Sequence, residues 1–168
     1  KLLNQKASHQ PSGQYALNDE YYKRIAAIQD AMNHDDGNLV KEINKSDIIL
    51  LGVSRTSKTP TAIYLANKGF KTSNIPLINQ NSVPKFLKEN PRITCVVGLS
   101  TEPERLVDLR KNRMNTLKET ENKSYTDIEK IKKEVNDAKN TFRKYKWPVI
   151  DVTRKSVEET AASIIKIY

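Results

Sequence analysis

The chain has 168 residues, a hydrophobic fraction of 37% and a formal net charge of +9. That length supports one hydrophobic core, and no apolar run approaches the roughly twenty residues of a membrane span, so no membrane partner is expected. No secretory signal is visible and the single cysteine, Cys95, cannot form an internal disulfide, so a cytoplasmic setting is expected.

Residues 1–17 are polar, broken by Pro11, Ser12 and Gly13, and read as a linker in which His9 is simply solvated. The chain opens at Lys1 without an initiator Met, so this linker is expected to follow an N-terminal portion absent here, with residues 18–168 forming one P-loop-like domain. Asn18 offers an N-cap, and Tyr21, Ile25, Ile28 and Met32 recur at helical spacing, predicting one buried face of a helix that stops before Gly37.

Residues 48–53 are a continuous apolar run ending in Gly52 and a polar turn, the pattern of a strand buried on both faces of a parallel sheet. A helix should follow, with Pro60 in its first turn, Ile63, Tyr64 and Ala66 as its apolar surface and Gly69 at its end. Further strands are predicted at residues 74–78, 93–98 and 148–152. Helix starts are signalled by Ser/Thr followed three residues later by Glu: Thr101 with Glu104, Thr126 with Glu129, and Ser156 with Glu159. Ile128, Ile131, Val135, Ala138, Phe142 and Tyr145 make one stripe on a long helix, and Val157, Ala161, Ile164 and Ile165 do so on the last. The alternation predicts an α/β fold, a P-loop-type, mainly parallel sheet with helices on both faces and residues 48–53 central beside 93–98. Ligands of such sheets sit beyond the carboxyl ends of the strands, where the turn after Val53 emerges.

That turn carries the strongest chemical signal. Gly52-Val53-Ser54-Arg55-Thr56-Ser57-Lys58-Thr59 matches the P-loop pattern Gly-x-x-x-x-Gly-Lys-Ser/Thr except that Ser57 stands at the second glycine. With a strand entering and a helix leaving, successive backbone N–H groups and the helix N-terminus converge on one anion. In a P-loop Lys58 would reach the terminal phosphate, Thr59 would bind Mg²⁺, and Ser54 and Arg55 could add donors. Glycine at position 57 would allow a positive φ that serine tolerates poorly. The pattern leaves ATP, ADP and GTP undistinguished.

Two sets of acids could complete the site. His34-Asp35-Asp36-Gly37 precedes the buried strand and could supply a general base or a Mg²⁺ ligand, although Asp-Asp-Gly is also a common turn composition. Asp151, at the end of the last predicted strand, could hold Mg²⁺ or cap the following turn. Cys95, inside an apolar run, reads as a small buried filler. Between residues 108 and 146 twelve Lys/Arg face seven Asp/Glu, interleaved on helical faces, which reads as a solvated or protein-docking surface. No aromatic-rich basic ribbon or recognition-helix signature accompanies them, so nucleic acid is not the expected partner.

Across nearly its whole length from Gln14 the chain resembles the bacterial and plastid regulatory proteins of pyruvate, phosphate dikinase and of phosphoenolpyruvate synthase. The words that carry the resemblance are Gln14-Tyr15-Ala16-Leu17, His34-Asp35-Asp36-Gly37, the stretch from Ile49 through the turn to Pro60 with Ile63-Tyr64-Leu65-Ala66, and Asn74-Ile75-Pro76-Leu77. Gly98-Leu99, Pro103-Glu104-Arg105-Leu106, Pro148-Val149-Ile150-Asp151-Val152-Thr153 and Val157-Glu158-Glu159-Thr160-Ala161 continue it. Members similar to this chain carry serine or glycine at position 57, and the Thr56-Ser57 pair resembles the dikinase-regulating branch.

The resemblance implies a bifunctional enzyme. It would use ADP to phosphorylate a threonine beside the dikinase's catalytic histidine, itself already phosphorylated, and inorganic phosphate to remove that group as pyrophosphate. It also implies that Asp35 or Asp36 is the base, with His34 beside them and Lys58 and Mg²⁺ neutralising the transferring group. AMP is then the product of the first reaction, and a homodimer is possible. The same activities on phosphoenolpyruvate synthase, a nucleotide-sensing module without catalysis and a small-molecule kinase using ATP stay open.

Overall fold

The structure is a computed structural model that describes residues 18–35, 43–78, 82–117 and 124–168. In chain order the described elements are α1 (Asp19–Asn33), a 3₁₀ turn (Ile43–Lys45), β1 (Ile48–Gly52), α2 (Lys58–Asn67) and β2 (Thr72–Pro76). There follow α3 (Lys85–Glu89), β3 (Cys95–Ser100), α4 (Pro103–Leu117), α5 (Ile128–Tyr145), β4 (Val149–Asp151) and α6 (Val157–Ile165). The four described strands form one sheet in the order β2-β1-β3-β4, every pair parallel, so β1 is central beside β3 as its apolar run implied.

Strand alternation divides the core in two. Ile49 and Leu51 join Leu87 of α3, Leu106 of α4 and the α5 stripe of Ile131, Val135, Ala138 and Phe142. Ile48 and Leu50 point the other way, to Ala62 and Leu65 of α2 and Ala161 and Ile164 of α6. Every residue of β1 is buried, because both of its faces are covered.

Several boundaries differ from the sequence reading for local reasons. β2 begins two residues earlier than its apolar run, at Thr72. Thr72 and Ser73 are fully buried yet satisfied, Thr72 by the Phe70 carbonyl (3.0 Å) and Ser73 by the Ser46 hydroxyl (2.6 Å). β3 starts at Cys95, later than predicted, because the Thr94 hydroxyl is donated to the Ser46 and Asp47 carbonyls and Ile93 is left 53% exposed. The short α3 was not foreseen.

Helix α1 has the expected Asn18 cap, its side chain accepting from the Tyr21 N–H at 2.9 Å. Of the predicted face only Ile28 packs inward, half-buried against the helix contact. Ala27 and Ala31 pack with Ala66 of α2, since small residues let the helices approach closely, while Tyr21, Ile25 and Met32 stay exposed. In α2 Ala66 and the half-buried Tyr64 pack inward as expected, joined by Ala62 and Leu65, while Ile63 is exposed, because the sheet and α1 take adjacent sides of the helix. Gly69 ends α2 as expected. At φ +91° its N–H bonds the Ala66 carbonyl and the Phe70 N–H bonds the Leu65 carbonyl, closing a Schellman turn.

The reciprocal cap of Ser156 with Glu159 forms as read. The other two do not. Asp127 caps α5 in place of Thr126, and the buried Thr101 hydroxyl is engaged with Thr153, whose oxygen accepts from the Glu102 N–H at the start of α4. Among the described residues no helix is long and apolar enough to cross a membrane.

Candidate functional site

β1 delivers Gly52 to the carboxyl edge of the sheet, where the chain must turn sharply into α2. A Cβ at Gly52 would lie 2.6 Å from the Thr56 hydroxyl oxygen and 2.7 Å from the Leu99 carbonyl oxygen of β3. Glycine here is therefore a matter of close approach. The turn then takes two left-handed residues, Arg55 at φ 73° and Ser57 at φ 58°. Serine thus adopts the conformation for which a P-loop uses glycine, at a strain on the order of 1 kcal/mol. The fully buried Thr56 hydroxyl and the Lys58 ammonium both donate to the Val53 carbonyl, each at 3.0 Å, tying the turn to its entering strand. Ser57 makes no side-chain cap, so no Ser57 hydroxyl screens the N-terminal N–H groups of α2.

Among the described residues, Asp35 of the acidic segment meets this turn at Thr59. The Thr59 hydroxyl donates to Asp35 Oδ1 at 2.8 Å, and the side-chain amide of Asn74 donates to the same oxygen. Asn74 is 1% exposed on β2, one strand over from β1, and its backbone N–H bonds the His34 carbonyl at 3.5 Å. One buried amide therefore fixes the acidic loop through main chain and side chain together. His34 is buried, with Nδ1 2.8 Å from the Asp30 carbonyl, so its ring packs back on α1, and Nε2 has no partner among the described residues. Asp36 and Gly37 lie outside the described residues.

Residues 1–165 match the kinase/pyrophosphorylase family. The chain belongs to that family. It is 74% identical over 168 residues to a protein of Pelagibacter ubique provisionally named a pyruvate, phosphate dikinase regulatory protein, covering 100% of this chain and 61% of that one. Proteins of Erythrobacter litoralis (48% over 168 residues; 99% of this chain, 59% of the relative) and Sphingopyxis alaskensis (48% over 167; 99% and 62%) carry the same provisional name. The chain spans less than two thirds of the length of these relatives.

In this member of the kinase/pyrophosphorylase family the turn and the Thr59–Asp35–Asn74 cluster lie at the carboxyl edge of the sheet on its β2–β1 side, and Asp151 lies at that edge two strands from β1. It ends β4, with β3 between it and β1, and its Oδ1 accepts from the Thr153 hydroxyl (2.6 Å) and the Thr153 N–H (2.8 Å). Those two bonds, the hydroxyl's the stronger, hold the Asp151 carboxyl below the usual range. Through Thr153 this acid organises the start of α4. Cys95 is half-buried, and burial pushes its thiol up, as suits a filler.

Among the described residues no group of three or more His, Cys, Asp and Glu gathers as a metal cage. Mg²⁺ needs none, since it usually binds through one or two carboxylates together with substrate phosphates. The adjoining oxygens of Thr59 and Asp35 fit that requirement. Asn74 was missed by sequence reasoning. The available signal was its place in Thr72-Ser73-Asn74, a polar run inside a strand, whose buried groups must all find partners.

Proposed function

We propose that the chain is the nucleotide-handling part of an ADP-dependent protein threonine kinase and phosphate-dependent, pyrophosphate-forming phosphorylase whose target is pyruvate, phosphate dikinase. The observation that carries the reading is the junction of turn and acid. A strand–turn–helix with the P-loop spacing holds Lys58 at its base and bonds Thr59 directly to Asp35. The family and the name borne by its relatives support the same reaction class and target.

In the kinase direction a threonine oxygen attacks the β-phosphorus of ADP, the bond to the bridging oxygen breaks, and AMP leaves. In phosphorolysis an oxygen of inorganic phosphate attacks the phosphorus of phosphothreonine, and pyrophosphate and free threonine leave. ADP and pyrophosphate share a diphosphate unit, so one turn serves both reactions. The N–H groups of residues 54–59 and the Lys58 ammonium hold that unit and take up the charge that develops on it. Mg²⁺, held by Thr59 and Asp35 with the phosphates, would add further neutralisation when bound. Asp36, next in sequence, accepts the threonine proton in one direction and returns it in the other.

The test is label transfer from β-labelled ADP to phosphohistidine-bearing dikinase by the full-length protein, followed by phosphate-dependent release as pyrophosphate. ADP binding without transfer would leave a sensing module. Transfer from ATP to a metabolite would replace the proposal with a small-molecule kinase.

A further inference from the structure

Beside the phosphate turn stands a residue the P-loop pattern does not include. The Tyr125 phenol oxygen lies 3.0 Å from the Ser54 hydroxyl oxygen, across seventy-one positions of sequence. Tyr125 itself is held by an unusually expensive arrangement. Arg110, 1% exposed within α4, donates Nη1 to the Tyr125 carbonyl at 3.1 Å and sets its guanidinium 4.7 Å from the Tyr125 ring centroid. Its Nη2 donates to Glu134 of α5 at 2.6 Å, while its Nε has no partner among the described residues. A buried guanidinium left partly unsatisfied is costly, and two of these contacts serve to fix Tyr125.

Resting on the phosphate-site reading above, we propose that Tyr125 is a diphosphate-binding residue, its phenol donating to a phosphate oxygen seated in the turn, and that Arg110, steadied by Glu134, is its positioning residue. The phenol O–H offers one donor to an anion, and its bond to Ser54 already places it at the rim of the cradle. It can turn that donor to a phosphate oxygen while Ser54 keeps its own hydrogen for a second one. The stacked ring and bonded carbonyl spare Tyr125 the ordering that a free loop tyrosine would undergo on binding.

The experiment measures ADP and pyrophosphate binding to the full-length protein by calorimetry for the native form, Tyr125→Phe, Arg110→Lys, their double variant and Lys58→Ala. Tyr125→Phe retains the ring and its stacking, so its melting temperature should match the native one. Its affinity should fall about tenfold for both ligands, the usual effect of one hydrogen bond to a charged group. Arg110→Lys should weaken binding in the same sense, and the double variant should bind no worse than Tyr125→Phe, since both act through one phenol. Native-like binding by Tyr125→Phe while Lys58→Ala is weakened would overturn the proposal and leave the phosphate turn standing. Loss for ADP but not for pyrophosphate would place Tyr125 on the nucleoside and overturn it too. Native binding by Lys58→Ala would remove the phosphate-site reading itself. If Arg110→Lys fails to fold, Tyr125→Phe decides alone.

Discussion

A single methyl group at Gly52 tests the geometry on which the site depends. In Gly52→Ala the new carbon starts 2.6 Å from the Thr56 hydroxyl oxygen and 2.7 Å from the Leu99 carbonyl, so each must retreat by several tenths of an ångström to reach the 3.4 Å of ordinary contact. Thr56 can rotate, but only by giving up its bond to the Val53 carbonyl, the oxygen that also anchors Lys58. Leu99 cannot yield independently, because it is part of the β3 ladder beside β1 and β4. Overpacking of this kind costs about 1–3 kcal/mol, and at about 2–4 °C per kcal/mol for a domain of this size the melting temperature should fall by roughly 2–12 °C. Relief by displacement of the turn should weaken ADP binding as well. Gly69→Ala is the control. Its φ of +91° strains any side chain, yet none of the described residues lies within 4 Å of the added carbon, so it should lose on the order of 1 kcal/mol and bind ADP normally. Thermal denaturation and calorimetry read both quantities. A Gly52→Ala protein that melts within a degree of the native form and binds ADP unchanged would refute the close approach and the account of the turn built on it.

Three further outcomes are expected. Lys58→Ala should depress kinase and phosphorylase rates together by a hundredfold or more, on the order of the loss of one strong electrostatic stabiliser; loss of one rate alone would show that the reactions do not share a site. Asp35→Asn should shift the Mg²⁺ dependence of transfer, whereas Asp36→Asn should keep both ADP affinity and Mg²⁺ dependence and lose transfer; a native rate in Asp36→Asn would remove it as the proton acceptor. Asp151 has a lowered folded pKa, so the stability it contributes is present above its unfolded value and disappears as pH falls through the folded one. Denaturant titrations from neutrality to below about pH 4 should therefore show native and Asp151→Asn proteins differing most near neutrality and converging in acid; a constant gap would mean that Thr153 does not depend on the charge.

The parts of the fold legible in the sequence are those where one residue's own chemistry decides. Apolar continuity marked β1, the α5 stripe follows its period, and Gly69 and the Ser156–Glu159 pair end and begin helices as their backbone preferences dictate. The misreadings arose where a partner distant in sequence decides. Thr72 and Ser73 enter β2 because other groups satisfy them, and α1 turns its alanines inward because α2 presents Ala66 at that place. Thr101 looked like a cap, but Thr153 on the far side of β4 performs that task.

The site divides along the same line. Its turn is legible because Gly52, Lys58 and Thr59 must follow one another at fixed spacing after a buried strand. Asn74 and Tyr125 have no spacing to keep relative to the turn, since each reaches it from a different element: Asn74 from β2, Tyr125 from the entry to α5. What they contribute is also different in kind. The turn offers donors that any phosphate would accept, whereas Asn74 fixes which oxygen of Asp35 faces Thr59, and the Arg110-held Tyr125 fixes one edge of the cradle at Ser54. On the proposed function, the turn supplies most of the donors to a diphosphate and Tyr125 adds one at its rim. Moving a phosphoryl group between that diphosphate and a threonine would also require the reacting atoms to be held in register, the role proposed for Asn74, through Asp35, and for Tyr125.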